Sequence, residues 1–191
     1  MSKLEPAAQR VQDALRARGL DSEVRHMSQT TRTAEEAAAA CGCAVGQIVK
    51  SLVFRGAQSG KPYLLLVSGA HRVDEKAVAE RIGEPLWRPD AQYVRAATGF
   101  AIGGIPPLGH DTQLATFMDE ALLAYALVWA AAGTPDAVFP IAPAQLAEAA
   151  AATVMYGRPP VGKDFDVVMT WVLGAVMYAA CLCGGCMSRW P

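Results

Sequence analysis

An α+β fold is predicted: one domain with a mixed, mainly antiparallel sheet of about six or seven strands, curled toward a barrel and flanked by helices. Three observations predict it. Two continuous apolar runs rich in β-branched residues, IVKSLVFR and YLLLVS, stand either side of the turn-forming GAQSGKP. Helix-start signals recur between the strand-like runs. The length of 191 residues, with 52% hydrophobic and 18% charged, gives one full-sized core and little room for a second.

The elements follow in order. Leu4, Val11 and Leu15 share one side of an amphipathic first helix that Gly19 ends. SEVRHM reads as a short strand. Thr33 with Glu36 forms a capping-box start for an alanine-rich helix that Gly42 stops. The IVKSLVFR and YLLLVS hairpin comes next. Asp74 and Asp90 each stand at an N-cap, ahead of EKAVAERIG and AQYVRAATG, which both end in glycine. Phe100 to Ile102 reads as extended chain, TGFAIGGIPPLGH as a loop, and LATFM as a strand. VWAAAGTPDAVFPI reads as two strands around a Gly-Thr-Pro-Asp turn, and Pro143 opens a last helix. Counted coarsely, four helices are interspersed among the strands, and there is no internal repeat.

The domain is expected over residues 1–156, with 157–191 an apolar C-terminal tail. From Val167 to Met187 the tail carries no charge, and those 21 residues as a helix would extend about 32 Å. Three readings stay open for it: a membrane anchor, a helix packed on the domain or on a second copy, or an end atypical of the parent fold. The charged N-terminus MSKLEPAAQRVQDALRARG has no apolar core of a secretory signal. Cys41, Cys43, Cys181, Cys183 and Cys186 make an odd set without framework spacing. A reduced, cytoplasmic protein is therefore expected.

Formal charge is −1, which excludes a dense basic coat for a polyanion. The distribution is uneven. From Lys50 to Arg95 there are eight Lys or Arg against five Asp or Glu, whereas Asp111 to Ala150 holds five acids and no Lys or Arg. One side therefore suits a small anionic partner. There is no GxSxG, HExxH or phosphate loop with its lysine. His26, His71 and His110 have no metal-ligand spacing, and no metal or cofactor is expected.

Two features invite chemistry. Lys50 interrupts the apolar face Ile48, Leu52, Phe54. It is either a lysine snorkelling to solvent at a strand end or a cleft lysine that fixes a carbonyl, phosphate or ribose group. The loop TGFAIGGIPPLGH is either an ordinary turn or a rigid wall that aims amide N–H groups at an oxyanion, with Gly103, Gly104 and Gly109 free to take positive φ and Pro106-Pro107 stiffening it.

Together, TAEEAAAACGCAVGQIVKSLVF, LLLVSGAHRVDEKAVAERIG, TGFAIGGIPPLGH and VWAAAGTPDAVF resemble, in that order, the YbaK/EbsC family, free-standing relatives of the editing domain inserted in bacterial prolyl-tRNA synthetases. The resemblance covers about residues 5 to 152. It implies the YbaK-type fold and a trans-editing deacylase that hydrolyses the ester of a wrongly attached small residue, such as Ala, Cys or Ser, on tRNA for proline. By position it makes Lys50, Gly103 and Gly104 catalytic, and Ser51, Ile105, Pro106, Pro107, Gly109, His71, Gly133 and Thr134 substrate-binding. Pro106 stands where many relatives carry serine. The implied partners are the aminoacyl-tRNA acceptor end and prolyl-tRNA synthetase, and a membrane only if residues 167–187 form a genuine anchor. A non-catalytic module that binds aminoacyl-tRNA or a synthetase is the alternative.

Overall fold

A computed structural model of the chain describes residues 4–27 and 33–155. The expected tail, with its apolar run 167–187 and Cys181, Cys183 and Cys186, lies outside the described residues. So does the expected boundary at residue 156.

Three helix starts fall where a short polar side chain satisfies a first free amide, and two open on proline, which has no amide to satisfy. Helix α1 is Pro6–Arg16, with proline in its first turn. Helix α2, Ala34–Cys41, opens on the expected capping box: Thr33 Oγ1 accepts from Glu36 N at 3.1 Å while Glu36 accepts from Thr33 N at 3.4 Å. Asp74 caps α3, Glu75–Ile82, and Asp90 caps α4, Ala91–Thr98. Helix α5 is Pro143–Ala149. Among the described residues five α-helices form, the amphipathic first helix and the four expected among the strands.

Among the described residues eight strands form one curled sheet. They are β1 Arg25–His26, β2 Ile48–Gly56, β3 Pro62–Ser68, β4 Leu86–Trp87, β5 Ala115–Asp119, β6 Val128–Ala131, β7 Ala137–Ile141 and β8 Thr153–Met155. Their order is β1-β7-β6-β2-β3-β5-β8, with β4 on β2. The pairs β1–β7, β2–β3, β2–β4 and β6–β7 are antiparallel, and β2–β6, β3–β5 and β5–β8 are parallel. The mixed, mainly antiparallel α+β domain is thus observed.

Three local expectations need correction. Phe100–Ile102 is not a strand: Thr98 Oγ1 accepts from Phe100 N at 3.0 Å and folds the chain back over the end of α4 into a turn. Strands β4 and β8, of two and three residues, were not expected, because neither is long enough to display a period of two. SEVRHM contracts to the two residues of β1, which pair with Val138 and Ala137.

Period-two alternation sends the two faces of β2 and β3 into different cores. Val49, Val53, Leu64 and Leu66 join the main core with α1, whose Val11 and Leu15 are fully buried. On the opposite face, Ile48 packs under α2 with Trp129 and Val138, and Phe54, Leu65 and Val67 pack under α3. Lys50, on that face, stands between the two helix-covered patches.

The edge of β2 away from β3 is shared. Strand β6 pairs only with Ile48 and Val49, and β4 only with Arg55 and Gly56. Between them, residues 50–54 have no strand on that side among the described residues.

Candidate functional site

A cavity of about 780 Å³ lies along this unpaired stretch of β2. Lys50 and Ser51 line it from β2, His71 and Arg72 from the turn after β3, Gly103 and Ile105 from the glycine-rich loop, and Trp129 from β6. Lys50 and Gly103, 53 positions apart in the chain, therefore open on one space.

Lys50 is held by the main chain. Its Nζ donates to the Gly69 carbonyl at 3.1 Å and to the His71 carbonyl. An ammonium has three N–H donors, so one stays uncommitted among the described residues. Burial pushes the Lys50 pKa below the usual lysine value; Glu35 and Asp119 oppose that shift and Arg72 adds to it. Arg72 is exposed and has no ion-pair or hydrogen-bond partner among the described residues. Arg88, also on the cavity wall, is tied to Glu75 at 2.7 Å. The wall is thus net cationic, with Glu35 its acidic member.

The turn that grips Lys50 is itself fixed. Ser68 Oγ donates to the Gly46 carbonyl at 2.8 Å, and Gly69 N donates to the Ile48 carbonyl at 2.7 Å. Gly69 is required, since a Cβ there would stand 2.2 Å from the Val45 carbonyl oxygen. The His71 ring sits with Nδ1 2.8 Å from Asp119 Oδ2.

The glycines of the loop differ in purpose. Gly103 has φ +98° and open space where a Cβ would be, as befits backbone facing a ligand space. Gly104 has an ordinary φ, but a Cβ would meet the Gly133 and Thr134 backbone at 2.8 Å. Its carbonyl accepts from Gly133 N at 2.8 Å, and its own N–H donates to Ala101 O at 3.2 Å. Gly133 and Thr134 accordingly buttress the loop from behind and are absent from the cavity lining. Helix α1 backs both: a Cβ on Gly133 would stand 2.8 Å from the Ala7 carbonyl, and Arg10 Nε donates to the Gly109 carbonyl at 2.8 Å.

Of the residues singled out in the sequence, Lys50, Ser51, His71, Gly103 and Ile105 share the cavity. Pro106 is fully buried and its carbonyl lies 2.8 Å from His110 Nε2. Pro107 and Gly109 line a second hollow, of about 400 Å³. The sequence reading missed Arg72, Arg88, Trp129 and Ile102 on the cavity wall. The surplus of Lys and Arg between residues 50 and 95 was the available signal for the two arginines. Among the described residues no cluster of His, Cys, Asp or Glu could hold a metal, and no helix is long and apolar enough to cross a membrane. Burial raises the thiol pKa of Cys41 to about 11, which disfavours a reactive thiolate.

The profile of the aminoacyl-tRNA editing domain matches residues 28–149. A crystal structure described as a candidate trans-editing enzyme for prolyl tRNA synthetase is 49% identical with a TM-score of 0.76, over 80% of this chain and 97% of that one. YwhH of Bacillus subtilis, an uncharacterised protein, is 28% identical over 67% of this chain and 81% of its own. EbsC of Enterococcus faecalis, named as a candidate Cys-tRNA(Pro)/Cys-tRNA(Cys) deacylase, is 29% identical over 63% of this chain and 79% of its own.

Proposed function

The chain belongs to the aminoacyl-tRNA editing domain family, and from that premise we propose that it is a trans-editing hydrolase that deacylates mischarged tRNA, with Ala, Cys or Ser on tRNA for proline as substrates. One observation carries the reading: the amine of Lys50 and the backbone of Gly103 border the same cavity, at the unpaired edge of β2.

The chemistry asks little of the protein, because an aminoacyl ester is already activated. Water adds to the ester carbonyl, the bond from acyl carbon to ribose oxygen breaks, and the proton from water ends on the ribose hydroxyl. Negative charge develops on the carbonyl oxygen as water adds. The Gly103 N–H has no partner among the described residues and serves as a donor to that oxygen. Gly104 supports it by locking the loop to Gly133. Lys50 offers its remaining N–H to the ester, the terminal ribose or the adjoining phosphate, and orients rather than attacks. Arg72, unpaired and beside Lys50, suits a phosphate of the acceptor end. In this scheme Ile105 and Ser51 limit the size of the side chain admitted. One methylene changes binding by only about 1–3 kcal/mol, so selection among small residues is partial.

The test is a panel of tRNAs charged with alanine, cysteine, serine or proline, incubated with the purified chain and with Lys50→Ala. Release of the small residues faster than in buffer, with cognate prolyl-tRNA spared and Lys50→Ala slowed, is the expected result. Esters that persist as long as in buffer would defeat the enzyme reading, and tight binding without hydrolysis would favour the binding module.

A further inference from the structure

Asp119 closes β5 and lies outside the set of residues assigned to the site above. The register explains its position. Strand β5 runs parallel to β3 with Met118 beside Leu66, so Asp119 reaches the level where β3 ends and the gripping turn begins. Its side chain is only 16% exposed. It accepts three N–H groups. Oδ2 receives Ser68 N at 3.1 Å and the His71 ring at 2.8 Å, and Oδ1 receives Ala121 N at 3.0 Å.

Those contacts bracket the turn. Ser68 and His71 are its first and last residues, and His71 N donates to the Ser68 carbonyl at 3.0 Å to close it. Its Gly69 and His71 carbonyls are the two acceptors of Lys50 Nζ. One carboxylate therefore holds both ends of the turn whose Gly69 and His71 carbonyls hold the lysine. From outside the turn, His71 is held by two side chains: its ring by Asp119, its carbonyl by Lys50.

We propose that Asp119 is a positioning residue, a clamp that fixes the Ser68–His71 turn and through it sets the place of Lys50 for ester hydrolysis. The role in hydrolysis rests on the deacylase reading; the clamp itself does not. Asparagine cannot substitute. It would keep one oxygen and turn an NH₂ toward a backbone or ring N–H, setting donor against donor.

The experiment uses the full chain and two readouts. The first needs no substrate: the ¹H–¹⁵Nζ correlation of Lys50 by NMR, assigned by its loss in Lys50→Met. An ammonium gripped by two carbonyls exchanges slowly and gives a signal. In Asp119→Asn and Asp119→Ala, with dispersed amide spectra attesting folding, that signal is expected to vanish. The second readout is steady-state deacylation, where kcat is expected to fall at least tenfold with KM changed less than threefold. A retained Nζ signal, or an unchanged kcat, in either folded variant would overturn the proposal. Should both variants fail to fold, His71→Ala removes only the exposed ring from the clamp. It is then expected to broaden the signal and lower kcat by a few fold, and wild-type values for both would overturn the proposal equally. If the wild-type chain hydrolyses none of the esters, the deacylase reading fails and the clamp is decided by the Nζ signal alone.

Discussion

Gly104 and Gly133 are joined across the back of the cavity, the carbonyl of the first accepting the amide of the second at 2.8 Å. Their closeness leaves no room for a side chain on Gly104, whose Cβ would meet backbone atoms at 2.8 Å. Gly103, next to it, meets nothing, and only its φ of +98° opposes a larger residue. Gly103→Ala is therefore expected to cost about 1–2 kcal/mol of backbone strain. Gly104→Ala must push the loop away from the Gly133 turn and break their hydrogen bond, for about 2–4 kcal/mol. With about 2–4 °C of melting temperature per kcal/mol in a domain of this size, calorimetry separates them. Equal melting temperatures would show that the loop and the turn are not in register.

Lys50 is predicted to be dispensable for the fold. Burial already depresses its pKa, so removing the charge forfeits little. Lys50→Met preserves volume and should shift stability by less than about 1.5 kcal/mol. Deacylation should nonetheless fall about 100-fold or more in kcat/KM, the scale of a lost preorganised donor. Lys50→Arg should not rescue it, because a planar guanidinium cannot reproduce a compact ammonium between the Gly69 and His71 carbonyls. Rescue by arginine, measured under the same conditions, would reduce the role of Lys50 to charge alone.

Much of this geometry was readable where its cause is local. Thr33, Asp74 and Asp90 announced their helices because a cap acts on amides two or three residues away. Lys50 stood out because a charge on an apolar strand face is a conflict visible within five residues. The gap in the edge of β2 was not readable, since it depends on where β6 and β4, far onward in the chain, end their pairing with Ile48–Val49 and Arg55–Gly56. Asp119 was invisible for a similar reason: read in line it merely follows the strand LATFM, and two of its three donors, Ser68 N and the His71 ring, become evident only when β5 is laid against β3. The loop glycines stand out in the sequence only as a group, whereas one is needed for φ and its neighbour for space, which residue type alone cannot distinguish.

Ile102 leaves 59% of its surface exposed on the rim of the cavity, beside Gly103. An aliphatic side chain so placed adds little to folding. Ile102→Ser should leave stability within about 0.5 kcal/mol. If bound substrate covers Ile102, the loss of roughly 1 kcal/mol of apolar burial should raise KM about three- to tenfold at constant kcat. Deacylation kinetics with an unchanged KM would place the acceptor end elsewhere on the rim.

Glu84 offers a test by acid. Its carboxylate accepts from Gln58 N and Ser59 N, both at 2.9 Å, from the Ser59 hydroxyl and from the Tyr63 hydroxyl at 2.8 Å, and so fastens the turn between β2 and β3. Gly56 makes the room, since a Cβ there would stand 2.4 Å from the carboxylate. These donors, the Ser59 hydroxyl foremost, hold the Glu84 pKa down to about 2 from a usual 4.5. A carboxyl whose native pKa lies below its unfolded value contributes stability that is complete above about pH 4.5 and is lost as pH falls toward 2. Glu84→Gln, which also turns an amide N–H toward those donors, should therefore unfold at lower urea than the wild type at pH 7. The gap between the two midpoints should narrow progressively between pH 4.5 and 2. Measuring the difference cancels the share of other acids, such as Asp136, whose pKa is also lowered, first by the Thr134 hydroxyl. A gap of the same size at pH 7 and pH 2.5 would mean that the turn recognises the shape of the Glu84 side chain and not its charge.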